Sequence, residues 1–212
     1  MINLDHFRKE FDKDKLDKGS VKKDPFAQFD VWHKEVMHVD AEGAITMTLS
    51  TVDSLGQPSS RIVLLRTLGE EGFGFFTNLT SRKAIEIDGN RQASLLFFWR
   101  NFQRQVRIEG ELIRMPVEVE DEYFAGRPRG SQIGAWSSPQ SASIPDRKSL
   151  EKMVREYTDR FEGKDVPRPS YWGGFILDPK RVEFWQGRES RLHDRIVYSK
   201  VDNGWKIERL AP

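Results

Sequence analysis

From residue 44 onward the hydrophobic period of this chain is two, and turn residues interrupt it at short intervals. That period specifies strands with one wet and one dry face, and closely spaced turns keep them short and mostly antiparallel. Gln103–Arg114 is the clearest case: Val106, Ile108 and Leu112 alternate with Gln105, Arg107, Glu109 and Glu111. Ala44–Val52 reads as a strand ending at the turn Asp53-Ser54-Leu55-Gly56-Gln57-Pro58. Arg61–Thr67 is apolar at successive positions, which predicts burial on both faces. Phe73–Thr77, Gln92–Trp99, Gly174–Leu177, Arg181–Trp185, Arg195–Lys200 and Trp205–Leu210 complete the set, with Asp202-Asn203-Gly204 as a hairpin turn.

Helices interrupt the strands. Asp24-Pro25 reads as an N-cap followed by proline at the first helical position, with Phe26, Phe29, Trp32 and Val36 at helical spacing behind it. Further helices are expected from Ser81 to about Gly89, from Pro116 to Gly126, and from Asp146 to Gly163, with a polar loop running from Gly126 to Pro145. Leu150, Met153, Val154, Tyr157 and Phe161 give the last helix an apolar stripe. The expected fold is therefore mostly β with outer helices, an antiparallel barrel. Strands and helices do not alternate regularly and there is no Gly-x-Gly-x-x-Gly turn, so a Rossmann sheet is excluded. Residues 1–24 read as a mobile charged arm and residues 25–212 as a single domain.

Several function classes drop out. With 34 basic and 33 acidic residues, the net charge of +1 gives no reason to expect nucleic acid or a membrane surface as partner. The longest apolar run, Leu95–Trp99, is too short to span a bilayer, and the charged first twenty residues hold no secretory signal, so a cytoplasmic protein is expected. There is no cysteine, and His6, His33, His38 and His193 are too scattered for a zinc site, so no metal is expected. Nucleophile-elbow, zincin and P-loop motifs are absent.

Three clusters remain as candidate chemistry. Arg61 and Arg66 bracket an apolar strand, and Arg82-Lys83 follow Ser81 at a helix start near the Thr77 hydroxyl, which suits a phosphate. Arg61 and Arg66 are an odd number apart, so either a bulge intervenes or two phosphates lie on different sides of this strand. Tyr123, Arg127, Arg129 and Ser131 form the second cluster. In the third, Arg191, His193 and Arg195 alternate, so an extended segment would project all three to one side toward an anionic or aromatic ligand.

Four stretches in order resemble the pyridoxine/pyridoxamine 5′-phosphate oxidases: Arg61-Ile62-Val63-Leu64-Leu65, Thr77–Lys83, Arg127–Trp136, and Val182–Gln186 with Arg191–Arg195. The resemblance runs from about Arg8 to Pro212. It implies an FMN-binding split β-barrel working as a homodimer with FMN at the interface. The implied reaction is oxidation of pyridoxamine 5′-phosphate or pyridoxine 5′-phosphate by O2 to pyridoxal 5′-phosphate and hydrogen peroxide, a step of vitamin B6 salvage. It implies FMN contacts at Arg61, Ile62, Val63, Leu64, Leu65, Arg66, Phe76, Thr77, Arg82, Lys83 and Gln105, and at Gln140, Ser141, Trp185 and Arg195 from the other half of the motif set. Substrate contacts fall on Arg8, Arg66, Tyr123, Arg127 and Ser131, with Arg191 and His193 as catalytic residues beside the pyridine ring. Arg66 stands where lysine is usual, Phe76 where tyrosine is common, and Phe11 where a tyrosine can contact substrate. Two alternatives stay open: a split barrel holding another flavin, a deazaflavin or haem for a different activity, and a non-catalytic pyridoxal phosphate carrier.

Overall fold

A computed structural model describes residue 11 and residues 13–212; Arg8 lies outside the described residues. Helix α1 (Pro25–Val39) begins where the Asp24-Pro25 signal puts it, with the Asp24 carboxylate accepting from the Ala27 N–H at 2.9 Å. A short helix α2 (Ala41–Ile45) leads into β1 (Thr46–Val52), which forms a hairpin with β2 (Pro58–Leu64). Then follow β3 (Thr67–Gly69), β4 (Gly72–Asn78), α3 (Arg82–Gly89), β5 (Gln92–Trp99) and β6 (Arg104–Arg114). Helices α4 (Val117–Ala125), α5 (Arg129–Ser137) and α6 (Arg147–Arg160) come next, and β7 (Trp172–Gln186), β8 (Asp194–Val201) and β9 (Gly204–Leu210) end the chain.

All strand pairs are antiparallel, in the order β2-β1-β5-β6-β7-β4-β3, and the sheet curls into a half-barrel. The barrel divides at β7. Its first half pairs with β4 and its second half with β8, while β6 runs along both. Phe29 and Trp32 of α1 plug the barrel against Phe73, Phe97 and Phe184. A second apolar cluster of Phe124, Ile133, Phe161, Val166 and Trp172 joins α4 and α5 to the start of β7. Residues 13–24, part of the charged arm in the sequence reading, lie on the body: Leu16 is buried in the main core and its N–H donates to Asp194 at 3.1 Å.

Five expectations need correction. The strand expected over Arg61–Thr67 stops at Leu64 and is not buried on both faces, because β2 is the outermost strand and leaves Ile62 63% exposed. Leu65 and Arg66 lie outside the strand, with their N–H groups donating to Ile45 and Gly74, so strand parity does not relate Arg61 to Arg66. The polar loop expected up to Pro145 contains α5. The strands expected at Gly174–Leu177 and Arg181–Trp185 are one strand, with Pro179 absorbed at a register shift opposite Gly110. There the two backbones come so close that a Cβ on Gly110 would lie 2.0 Å from the Asp178 carbonyl oxygen. Finally, Arg191, His193 and Arg195 do not share an extended segment: Glu189–Arg191 is a 3-10 turn with Ser190 and Arg191 at φ 54° and 61°, and β8 begins only at Asp194.

Candidate active site

A cavity of about 1160 Å³ opens between β2, β4 and the start of α3 on one side and α4 and α5 on the other. This exceeds the roughly 300–1,000 Å³ of most ligand pockets. Arg61, Ile62, Val63, Leu64, Arg66, Phe76, Thr77, Lys83, Tyr123, Arg127, Ser131 and Gln140 all line it. Two of the sequence clusters thus meet in one space. At one end the Lys83 ammonium is held by the hydroxyls of Thr77 (3.1 Å) and Ser81 (3.3 Å) and the Gln140 side-chain oxygen (2.9 Å). These acceptors carry no charge. Burial and the Arg61 charge lower the Lys83 pKa from its ordinary value, with Glu86 opposing them.

Glu86 organises the arginines behind this end. Its carboxylate, 4% exposed, accepts from Thr51, Ser59 (2.7 Å), Arg61 (3.1 Å) and Arg82 (2.8 Å). Burial pushes the carboxyl up, but hydrogen bonds from Thr51, Ser59 and Arg82 and the Arg61 charge outweigh it and lower its pKa to about 2. Arg61 also donates to the Leu49 carbonyl, Thr51 and Ser59, so its terminal nitrogens are already engaged. Arg82 and Ser141 line a neighbouring shallow groove, not the cavity, and Leu65 is buried in the core.

The other end is aromatic and cationic. Phe76 stacks on Tyr123 with ring centroids 4.0 Å apart and on Trp172 at 5.0 Å. Gly174 permits this approach, since a Cβ there would meet Phe76 at 2.9 Å. The Arg127 guanidinium lies 4.8 Å from the Trp172 ring centre and 5.4 Å from that of Phe124. Its buried NH1 nitrogen has no hydrogen-bond partner among the described residues. Burial lowers the Arg127 pKa, with Tyr123 opposing and the Arg66 charge adding to the effect. Ser131 sits in the first turn of α5. Arg129 turns away and donates to the carbonyls of Phe161 and Lys164.

The third cluster lies elsewhere. Trp185 packs on His193 (4.6 Å between centroids), and Phe11 meets both rings edge-on at 5.9 and 6.0 Å. The Arg188 N–H donates to His193 Nδ1 at 3.1 Å. A backbone N–H can only donate, so the proton of the neutral imidazole sits on Nε2. Arg195 makes a two-pronged pair with the buried Glu183 at 2.9 and 3.0 Å. Gln105 is the register partner of Trp185 on β6. Neither Gln105 nor Trp185, Arg191, His193 or Arg195 lines the large cavity.

Residues 34–161 match the family described as "Pyridoxamine 5'-phosphate oxidase", and residues 172–212 match the "Pyridoxine 5'-phosphate oxidase C-terminal dimerisation region". A pyridoxine/pyridoxamine 5′-phosphate oxidase of Burkholderia thailandensis is 49% identical over 215 residues, covering all of both chains. One from Paraburkholderia xenovorans is 48% identical with the same coverage. The chain belongs to the pyridoxine/pyridoxamine 5′-phosphate oxidase family. Among solved structures, PhzG from Burkholderia lata 383, in complex with tetrahydrophenazine-1-carboxylic acid, superposes with a TM-score of 0.87 at 28% identity over 94% of this chain and 98% of that one. A pyridoxamine 5′-phosphate oxidase-related, FMN-binding protein from Nostoc punctiforme PCC 73102 shares the fold, with a TM-score of 0.71 at 18% identity over 91% of this chain and all of that one.

FMN is the cofactor of this oxidase family, and the residues present fit a phosphate-bearing group: Lys83 is satisfied by neutral oxygens alone, and Arg127 keeps a buried nitrogen unpartnered. Sequence reasoning missed Glu86, Glu183 and Trp172. A buried acid on a helix or strand looks like any surface charge until its partners are known, and Trp172 follows a loop with no motif of its own. Among the described residues no group of His, Asp or Glu is gathered as a metal site, and no helix is long and apolar enough to cross a membrane.

Proposed function

We propose that this chain is a cytoplasmic, homodimeric FMN-dependent oxidase. It converts pyridoxamine 5′-phosphate, with water consumed and ammonia released, and pyridoxine 5′-phosphate to pyridoxal 5′-phosphate, with O2 as acceptor and hydrogen peroxide as product. The observation that carries this reading is the unpartnered Arg127 nitrogen, buried in the cavity that Arg66, Tyr123 and Ser131 also line. Two guanidinium groups, neither of them ion-paired to a carboxylate among the described residues, favour a dianion such as a phosphate monoester. When bound, FMN supplies the two-electron acceptor for oxidation at the substrate C4′ and returns the electrons to O2.

The protein's own work is to bind and orient. Lys83, Thr77 and Gln140 hold the cofactor phosphate, with Arg61 fixed behind them by Glu86. The phosphate grip at Arg66, Tyr123, Arg127 and Ser131 fixes the substrate at one end, which turns a collision into a positioned encounter. Arg191 and His193 of the second subunit cover the pyridine ring, with His193 presenting its Nε2 proton and Arg191 a fixed charge. Arg195, Trp185 and Gln105 of that subunit complete the cofactor site.

A second reading draws on the likeness to PhzG: oxidation of a reduced aromatic carboxylate. The two separate on one experiment. Purified FMN-loaded protein is given pyridoxamine 5′-phosphate, pyridoxamine, or a tetrahydrophenazine carboxylate, and pyridoxal 5′-phosphate and peroxide are measured. Turnover of the phosphorylated amine far above its phosphate-free counterpart is expected. Turnover of the phenazine substrate alone would overturn the proposal.

A further inference from the structure

We propose that Trp172 is a positioning residue for the substrate phosphate, setting the Arg127 guanidinium for the anion through the face of its indole ring. The inference rests on the phosphate grip proposed above and adds to it a residue outside every motif named there. An arginine at an anion site needs something to orient it that does not also neutralise it. A carboxylate would do the first and spoil the second, because it competes with the incoming phosphate. An aromatic face orients the planar guanidinium and leaves its N–H groups available. Arg127 has that arrangement. Its carbon lies 4.8 Å from the Trp172 ring centre, Phe124 flanks it at 5.4 Å, and NH1 is buried without a partner among the described residues.

The platform is itself held on several sides. Trp172 is the first residue of β7, paired in register with Asn78 of β4. Its N–H donates to the Pro169 carbonyl at 2.9 Å, and its own carbonyl accepts from Arg168 at 2.6 Å. Arg168 is in turn bound to Glu120 and Asp121 of α4, the helix that carries Tyr123. Phe76 lies nearly parallel to the indole, at 7° and 5.0 Å, and Phe124 meets it edge-on at 5.1 Å. Strand β7 and helix α4 therefore fix one ring, and that ring fixes the cation.

Trp172 is also part of the helical-layer core, so the test must separate positioning from packing. Trp172→Leu and Trp172→Phe are made in the wild-type and Arg127→Ala backgrounds, as FMN-loaded protein. Equilibrium binding of pyridoxal 5′-phosphate, FMN affinity and melting temperature are measured for each. Trp172→Leu is expected to weaken pyridoxal 5′-phosphate binding about tenfold, Trp172→Phe about threefold, with FMN affinity unchanged. In the Arg127→Ala background both effects should vanish, because the ring then has no cation to hold. The same loss in both backgrounds, or no loss in the first, overturns the inference; should the leucine variant fail to fold, the phenylalanine cycle alone decides. Wild-type protein that does not bind pyridoxal 5′-phosphate overturns the proposed function instead.

Discussion

Trp172 and Trp185 stand thirteen residues apart on the single strand β7, which at about 3.3 Å per residue separates them by up to roughly 40 Å. Trp172 lines the cavity with Arg127 and Lys83, whereas Trp185 packs on His193 near the other end of the strand. In the homodimer proposed above, each copy gives its cavity to one site and its C-terminal cluster to the other.

Subunit mixing tests this directly. Arg127→Ala and Arg195→Ala proteins, each inactive alone, are denatured together and refolded with FMN. Random pairing makes half the dimers mixed, and each of those has one intact site, so about a quarter of wild-type activity should return. No recovery, despite mixed dimers demonstrated by mass, would place both residues in a site within one chain.

Arg66 offers a test of charge against shape. Arg66→Ala should raise KM for pyridoxamine 5′-phosphate by roughly ten- to a hundredfold, the worth of one charge-assisted hydrogen bond. Arg66→Lys should recover much of that, since an ammonium keeps the charge although it loses the planar fork. FMN affinity should change far less. Equal losses of both ligands would move Arg66 into the cofactor site.

Glu86 predicts an acid limit. Its folded pKa of about 2 lies below the ordinary 4.5, so its stabilisation is present above about pH 4.5 and is lost as pH falls towards 2. The unfolding free-energy difference between wild type and Glu86→Gln should be flat at neutral pH. It should then shrink by on the order of 3 kcal/mol on acidification. Denaturant titrations at several pH values measure it, and a difference that holds constant down to pH 2 contradicts the assignment.

The hydrogen bond from the Arg188 N–H to Nδ1 selects, for a neutral His193 ring, the tautomer with its proton on Nε2. Nitrogen-15 spectra of the imidazole in its neutral form should show a protonated Nε2 and a bare Nδ1. In the mechanism proposed above, a neutral His193 with its one lone pair engaged would orient substrate and not accept a proton from it. His193→Ala and Arg191→Ala should therefore slow anaerobic flavin reduction or weaken substrate binding while FMN stays bound. A predominantly Nδ1–H ring would exclude this arrangement.

What could be read from the sequence was what local chemistry dictates. The alternation in β6, the Asp24 cap and the Asp202-Asn203-Gly204 hairpin each act within a few residues, and each is found where its residues put it. Helix α5 was hidden because Gly130, Ser131 and Gly134 depress helix propensity; Ile133, packed among Phe124, Phe161 and Trp172, supplies the missing stability from outside the segment. Pro179 masked the continuity of β7, since proline more often ends a strand than bends one. Nothing in Ser190 or Arg191 announces a positive φ, which glycine or asparagine would have done. Among the site residues, both ends of the cavity were legible as motifs, but Glu86 meets Arg61 and Trp172 meets Arg127 from more than twenty residues away in the chain.

The idle nitrogen of Arg127 also makes the buffer a reagent. Inorganic phosphate and sulfate present the same tetrahedral oxygens as the phosphate ester of the proposed substrate, and the unpartnered Arg127 nitrogen can donate to any of them. On the proposed function each should compete with substrate, multiplying the apparent KM by one plus the anion concentration over its inhibition constant. A preparation exchanged into phosphate will look like a poorer enzyme than the same protein in an amine buffer, although no residue has changed.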